Sequence, residues 1–334
     1  MKKNPLITII VTTYNSDLNY FSECMYSIIN QSYKNTEILI IDDFSSKKNY
    51  LALKSLLKKK FKDNRIKVYQ NKKNYGVSKS LNQGINFSKG KYITWCSYDD
   101  YFHHNKILLQ YNKIKNLDNT IVSCNSFVKY QNYNFFRKVN YEFLSTNKDS
   151  LILSDKFSGG TFLIPKKIII KCGKFNEKLK FTQDYDMWLR FYDHNIKFAN
   201  LNKYLFFSRI HMDQDTNKKS KKVMIEKKNF YLRYFKKNLP YFLNFYSFYE
   251  LIKINISFRI RGYFNLSEFI SKEILKFNKI KKKKLLIIIM IILRVSKYTS
   301  NFYNLIYSYF RILIITILNL IYYFNKMIGS KNSK

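Results

Sequence analysis

Residues 90–102 read GKYITWCSYDDYF. The first half is apolar, aromatic and β-branched, which predicts a buried strand, and the segment then stops on two adjacent acids, Asp99 and Asp100. Charged groups seldom end a buried strand unless something satisfies them, and neighbouring carboxylates repel unless a cation or a shared proton lies between them. A divalent cation answers both needs, since Mg²⁺ and Mn²⁺ take oxygen ligands, commonly one or two carboxylates completed by phosphate oxygens and water. On the dipeptide alone, a solvated pair at a β-turn is the better reading. The neighbouring sequence decides otherwise.

Three earlier segments share this grammar. Leu6–Thr12 is a β-branched run ending in polar TYNS, and residues 37–41, EILII, end on Asp42 and Asp43. Residues 65–71, RIKVYQN, form the third. Helical spacing fills the gaps, over Phe21–Gln31, about Tyr50–Lys60 and about Ser78–Ser88. Four strands alternating with helices predict βαβ units and a mostly parallel sheet, whose ligands sit beyond the carboxyl ends of the strands. Tyr14, Asp43 and the Asp99–Asp100 pair all fall at such ends. Further on, TIVSCNSFVKY predicts a strand, GGTFLIPKK a turn into a strand with Pro165 at its end, and QDYDMWLRFYDH an amphipathic helix.

Composition sets the frame. The chain has 334 residues and a formal net charge of +38, enough length for one large or two modest domains. Such charge favours anionic partners, although Lys, Asn, Ile, Tyr and Phe dominate throughout, as an AT-rich coding bias would produce. The charge is uneven: net +17 over residues 1–216 and +21 over the shorter 217–334, with no acid after Glu273. Cys24, Cys96, Cys124 and Cys172 stand singly without a CxxC pair, which argues against a zinc site or disulfide framework and fits a reducing cytoplasm. The opening MKKNPLITIIVTTYN is too short and too β-branched for a signal peptide and reads as a first strand.

Taken in order, the motifs of about Pro5–Thr216 resemble glycosyltransferase family 2, the inverting, nucleotide-sugar-dependent enzymes of the GT-A fold. The resemblance implies an α/β, Rossmann-like, mixed and mostly parallel sheet flanked by helices. It places Thr12, Tyr14, Asn15 and Asp43 on the nucleotide, Tyr14 offering a ring face and Asp43 accepting the uracil imide proton, with Asp42 supporting the loop. NYGVSKSLNQG matches the family stretch N-x-G-x-x-x-x-R-N-x-G at Asn74, Gly76, Asn82 and Gly84; Leu81 stands where Arg is frequent, and Lys79 is its partial replacement. The same stretch also reads as a helix start with Gly76 in the turn and Ser78 as cap. Asp99 and Asp100 correspond to the family's DxD-type pair, Asp100 on the metal and Asp99 on the ribose or the metal's water shell.

The reaction also needs a base, because a sugar hydroxyl is a poor nucleophile at neutral pH. FTQDYDMWLRF is similar to the family's E-D-x-D-x-W helix start, with Gln183 in place of Glu; it implies Asp184 as catalytic base and Asp186 as an acceptor or structural contact. By the same resemblance Gly159, Gly160 and Thr161 border the acceptor, and Trp188 is either an apolar wall or core. FFSRIHMDQDT resembles the family's R-x-H element and implies Arg209 on the diphosphate and His211 on phosphate or metal.

The expected domains are a catalytic one at 1–216 and a helical, basic and aromatic region at 217–334. Within the latter, LLIIIMIIL (285–293) is too short to span a bilayer, and the 23 residues 302–324 are long enough but carry Arg311 near the middle. Flanking tyrosines and lysines suit a helix lying in the headgroup region of an anionic cytoplasmic leaflet. A span, or a buried hairpin, is the alternative. The expected activity is metal-dependent transfer of a sugar from a nucleotide donor, uridine-linked, to a glycan or lipid-linked glycan in surface polysaccharide assembly. A nucleic-acid-binding protein is disfavoured because the acids cluster at strand ends and no RNP, zinc-finger or helix-turn-helix pattern occurs. A sugar nucleotidyltransferase would carry a Gly-rich basic loop after the first strand, and TTYNSDLN has none.

Overall fold

The computed structural model describes residues 4–130, 135–139, 157–211, 214 and 220–276. Two compact units emerge, Met1–Lys227 and Lys228–Lys334. The expected break at 216/217 falls among residues outside the described ones.

The first unit begins with β1 (Ile7–Thr13), α1 (Leu18–Ile29), β2 (Thr36–Asp42), α2 (Lys47–Lys60), β3 (Ile66–Gln70), α3 (Val77–Phe87) and β4 (Tyr92–Ser97). β3, β2, β1 and β4 lie side by side in that order and all run parallel, as the βαβ pattern requires. An antiparallel edge strand, β8 (Ile164–Pro165), closes the sheet beside β4. Burial on both faces explains the unbroken apolar runs in β1 and β2. Ile7, Ile9 and Val11 join Phe21, Cys24, Met25 and Ile28 of α1 and Leu53 and Leu57 of α2 in one core. The opposite face takes α3. There a Cβ on Gly84 would come within 2.6 Å of the Ile10 side chain, so glycine sets how closely helix and sheet approach.

A second, four-stranded sheet was not anticipated. It consists of β5 (Tyr101–Phe102), β9 (Lys197–Ile210), β6 (Thr120–Tyr130) and β7 (Phe135–Val139), in that order. Only the β6–β9 pairing is parallel, and its register shifts around Asn125. Sequence reading missed the length of β9 because its first half, KFANLNKY, is nowhere fully buried and shows no apolar alternation. α4 (Lys106–Ile114) lies between β5 and β6 in the chain; a 3₁₀ turn at Gly159–Thr161, α5 (Lys166–Cys172) and α6 (Gln183–Asp193) complete the elements that carry expected site residues.

α7 (Ser220–Phe245) starts in the first unit. In the second, α8 (Phe248–Ile260) and α9 (Phe264–Lys276) follow. Its aromatics cover one another: Phe235 stacks on Phe242 at 4.3 Å, Phe258 meets Phe235 edge-on, and Tyr231 and Tyr263 close the group. Ser247 and Glu250 form a capping box at the start of α8. Among the described residues no helix is long and apolar enough to cross a membrane. The segments 285–293 and 302–324 lie outside the described residues.

Candidate active site

The carboxyl ends of β1, β2 and β4 converge on one edge of the sheet. Thr12 pairs with Ser97 across β1 and β4, and its carbonyl accepts the Tyr98 N–H at 3.2 Å. Beyond β1 the Tyr14 ring is 45% exposed, free to offer a face to a ligand. Asn15 takes a left-handed conformation (φ +43°); its N–H reaches Ser45 Oγ and its Oδ1 accepts the Ser46 N–H. Asp42 is fully buried and accepts from the Ser45 N–H and Gln70 Nε2, so it braces the loop.

Asp43 is buried as well. Its Oδ1 accepts from Asn71 Nδ2 (2.7 Å) and the Tyr75 N–H (2.9 Å), and its Oδ2 from the Gly76 N–H (2.7 Å). A carboxylate offers about four acceptor positions, so Asp43 shapes the turn into α3 and keeps one position on Oδ2. Gly76 caps α3 at φ +88°, a conformation that favours glycine. Ser78 is not the cap: its hydroxyl donates to the Leu179 carbonyl. Asn74 is exposed in the turn. Leu81 is buried, so no polar group stands where the family often has Arg. Lys79 lies 4.1 Å over the Tyr75 ring and 4.0 Å from Glu177.

The Asp99–Asp100 loop is held from behind by β9. Arg209 donates its N–H to Asp100 Oδ1 (3.0 Å) and Nη1 to the Asp99 carbonyl (2.8 Å). The guanidinium is 1% exposed, lies over the rings of Tyr20 (5.0 Å) and Tyr101 (4.6 Å), and pairs with Glu23. It therefore organises the acid loop, whereas the expectation had it reaching the diphosphate. Asp99 Oδ2 meets His211 Nε2 and Gln214 Nε2, each at 3.1 Å. Burial, then the Asp99 charge beside it, pushes the Asp100 carboxyl well above the usual carboxylate range. Two adjacent acids, one buried and one half-buried, present hard oxygen donors of the kind that suit Mg²⁺ or Mn²⁺. Among the described residues no group of three or more His, Cys, Asp or Glu is arranged to hold a metal. Within the pair Asp100 is half-buried, and Asp99 is buried and bonded to His211.

The other half of the site is built on α6. Asp184 sits in its first turn, behind the 3₁₀ turn of Gly159–Thr161. The Gly159 N–H donates to the Asp184 carboxylate, while Asp184 Oδ1 is enclosed and has no hydrogen-bond partner among the described residues. A Cβ on Gly159 would fall 2.6 Å from Trp95 Nε1 and 2.7 Å from Asp184 Oδ2, and one on Gly160 would strike Phe206 at 2.5 Å. The glycine pair thus brings backbone against the acid and against β4. Burial raises the Asp184 carboxyl to about 7, and the Gly159 N–H opposes part of that rise.

Four residues expected at the donor or acceptor make contacts within the protein. Asn82 clasps the Phe175 backbone, accepting its N–H and donating to its carbonyl, both at 2.9 Å. Asp186 binds Arg190 Nε at 2.9 Å, and Arg190 in turn donates to the Cys172, Gly173 and Lys174 carbonyls. Trp188 is fully buried, stacked 13° from the plane of Trp95 and 4.3 Å from Phe162, so it is core. Thr161 is buried, its hydroxyl donating to the Ser158 carbonyl. These side chains shape the walls because their polar groups or faces are consumed inside the protein. Glu23 and Gln214 were missed, because their partners Arg209 and Asp99 lie 186 and 115 positions away and leave no local pattern.

Comparison with known proteins follows the same outline. The sequence profile of "Glycosyl transferase family 2" matches residues 8–177. The chain belongs to glycosyltransferase family 2. It is thus a glycosyltransferase, with the GT-A fold. An uncharacterized glycosyltransferase of Rickettsia typhi is 35% identical over 234 residues, covering 65% of this chain and 69% of that protein. The glycosyltransferase GlyG of Streptococcus pneumoniae is 30% identical over 224 residues, covering 61% and 71%. Among solved structures, S. aureus TarS 1–349 in complex with UDP-GlcNAc aligns with a TM-score of 0.54 at 16% identity, over 80% of this chain and 84% of that one.

Proposed function

We propose that this family 2 glycosyltransferase is a metal-dependent, inverting enzyme that moves a sugar from a uridine diphosphate donor onto a hydroxyl of a glycan or lipid-linked glycan, in surface polysaccharide assembly. One observation carries the reading: the enclosed, unpartnered Asp184 Oδ1 on a carboxyl that titrates near 7. A general base works best when its pKa lies near the working pH, and among the described residues this acid meets that requirement without a charged partner.

The residues divide the work by strand end and helix start. Tyr14 offers its exposed ring to the base of the nucleotide, and Asp43 Oδ2 keeps an acceptor position for an imide N–H. Support for a uridine donor comes from TarS, whose structures carry UDP or UDP-GlcNAc. Asp100, with Asp99 beside it, would hold the divalent cation, which stabilises the charge of a departing nucleoside diphosphate as a Lewis acid. Arg209 and His211 fix the acid pair in place. Asp184 takes the proton of the acceptor hydroxyl on the face of the sugar opposite the leaving group, the geometry of inversion.

The reading assigns residues 1–216 to catalysis and 217–334, with their net charge of +21, to an anionic cytoplasmic leaflet. The test is a panel of nucleotide sugars offered to the full-length protein with Mn²⁺, Mg²⁺ or chelator, following release of nucleoside diphosphate. Metal-dependent release from a uridine donor supports the proposal. Release from none of the donors overturns it, and full turnover in chelator overturns the metal clause.

A further inference from the structure

The segment leading into α6 is held almost wholly by side chains. Ser78 takes the Leu179 carbonyl, Asn82 clasps Phe175, and Arg190 gathers the carbonyls of residues 172–174. The last three N–H groups before the helix, those of Lys180, Phe181 and Thr182, converge on a residue 44 to 46 positions away, Glu226. Glu226 Oε1 accepts from Phe181 N at 2.8 Å, Thr182 N at 2.9 Å and Thr182 Oγ1 at 2.8 Å, and Oε2 accepts from Lys180 N at 3.1 Å.

Thr182 is the N-cap position of α6, yet its hydroxyl makes no cap hydrogen bond to the helix because it is given to Glu226. A helix start leaves its N–H groups unpaired and carries positive potential, so a carboxylate placed there both pairs and neutralises. Here the carboxylate arrives from α7, and Asp184 follows Thr182 by two residues. In the family motif that the sequence resembles, an acid stands at position 183; this chain has Gln183, whose Oε1 is buried without a partner among the described residues.

We infer that Glu226 is a positioning residue for the catalytic base. It fixes residues 180–182, and through them sets where the first turn of α6 holds Asp184 against Gly159. The inference rests on Asp184 being the base. A carboxylate shared among three backbone N–H groups and a hydroxyl is a strong, charge-assisted anchor. Its removal leaves the Thr182 N–H and hydroxyl unpaired in a residue only 1% exposed, so the backbone must move to satisfy them. A displacement of about 1 Å at a reacting group costs on the order of 100-fold in rate.

Two variants of the full chain test this. Glu226→Ala should lower kcat roughly 10- to 100-fold, with KM for the donor and affinity for UDP within about two-fold of wild type. Glu226→Gln keeps a neutral oxygen at Oε1 and should recover most of the loss. Amide hydrogen exchange at residues 180–182 should accelerate in Glu226→Ala and stay near wild type in Glu226→Gln, whichever residue is the base. That readout separates the two claims: if Asp184→Asn kept normal turnover, the base assignment would fall while the anchor could still be seen. Unchanged exchange in Glu226→Ala, kcat within two-fold of wild type, or a loss of UDP affinity matching the loss in kcat would each overturn the inference.

Discussion

Asp100 and Asp184 are both carboxyls raised far above their ordinary range, and burial is the largest cause for each. They differ in the neighbour. Asp100 has a second carboxylate beside it, with an arginine backbone N–H and Ser208 hydrogen-bonded to it. Among the described residues no charged group shifts Asp184, and it takes one backbone N–H, from Gly159. An acid opposed by another acid is relieved by a cation, whereas an acid opposed only by burial is relieved by a proton. One sheet edge and one helix start thereby acquire different chemistry from the same residue type, as paired carboxylates do in other hydrolytic and transfer sites.

The sharpest way to break this contrast is Asp184→Asn. The amide keeps shape but cannot take a proton, so transfer should fall by roughly 1,000-fold or more, while UDP and Mn²⁺ binding by calorimetry stays near wild type. Gly159→Ala should rank next. Its methyl would meet Trp95 and Asp184 at under 3 Å, so the acid must shift, and kcat should drop about 10- to 100-fold with little change in donor affinity. Asp100→Asn strikes the other carboxyl: donor affinity measured with Mn²⁺ should weaken by about ten-fold and affinity measured in chelator should not. If Asp100→Asn and Asp184→Asn gave the same pattern, the distinction would be lost.

The smallest effect is on stability. Asp184 keeps its proton in the folded state up to about 7, against an ordinary value of 3.8. The folded protein therefore binds more protons between those values, and stability falls as pH rises through the window. Asp184→Asn removes that cost. Its melting temperature should exceed wild type by a few degrees at pH 8 and match it at pH 4; a variant less stable at pH 8 would contradict the burial argument.

How much of this could be read from the residues alone varies with range. Strand ends were legible, because an apolar run that stops on Asp43 or on Asp99 marks both the element and its edge. Helix starts were legible through spacing, as for Asp184. The closures were not. Asn82 meets Phe175 across 93 positions and Arg209 meets Glu23 across 186, and no local pattern announces such pairs. A buried arginine between two tyrosines and a solvent-facing arginine poised for phosphate look alike in FFSRIH. Likewise Trp188 has the spacing of a helix face either way, and only its full burial against Trp95 and Phe162 decides that it is core.

The central claim is that burial sets Asp184 as a base near neutral pH, and the pH dependence of kcat/KM for the acceptor measures it most directly. With metal saturating, the account predicts an ascending limb centred near pH 7, absent from the residual activity of Asp184→Asn. A wild-type profile that is flat from pH 5.5 to 8.5, or a limb that survives in the variant, would contradict it.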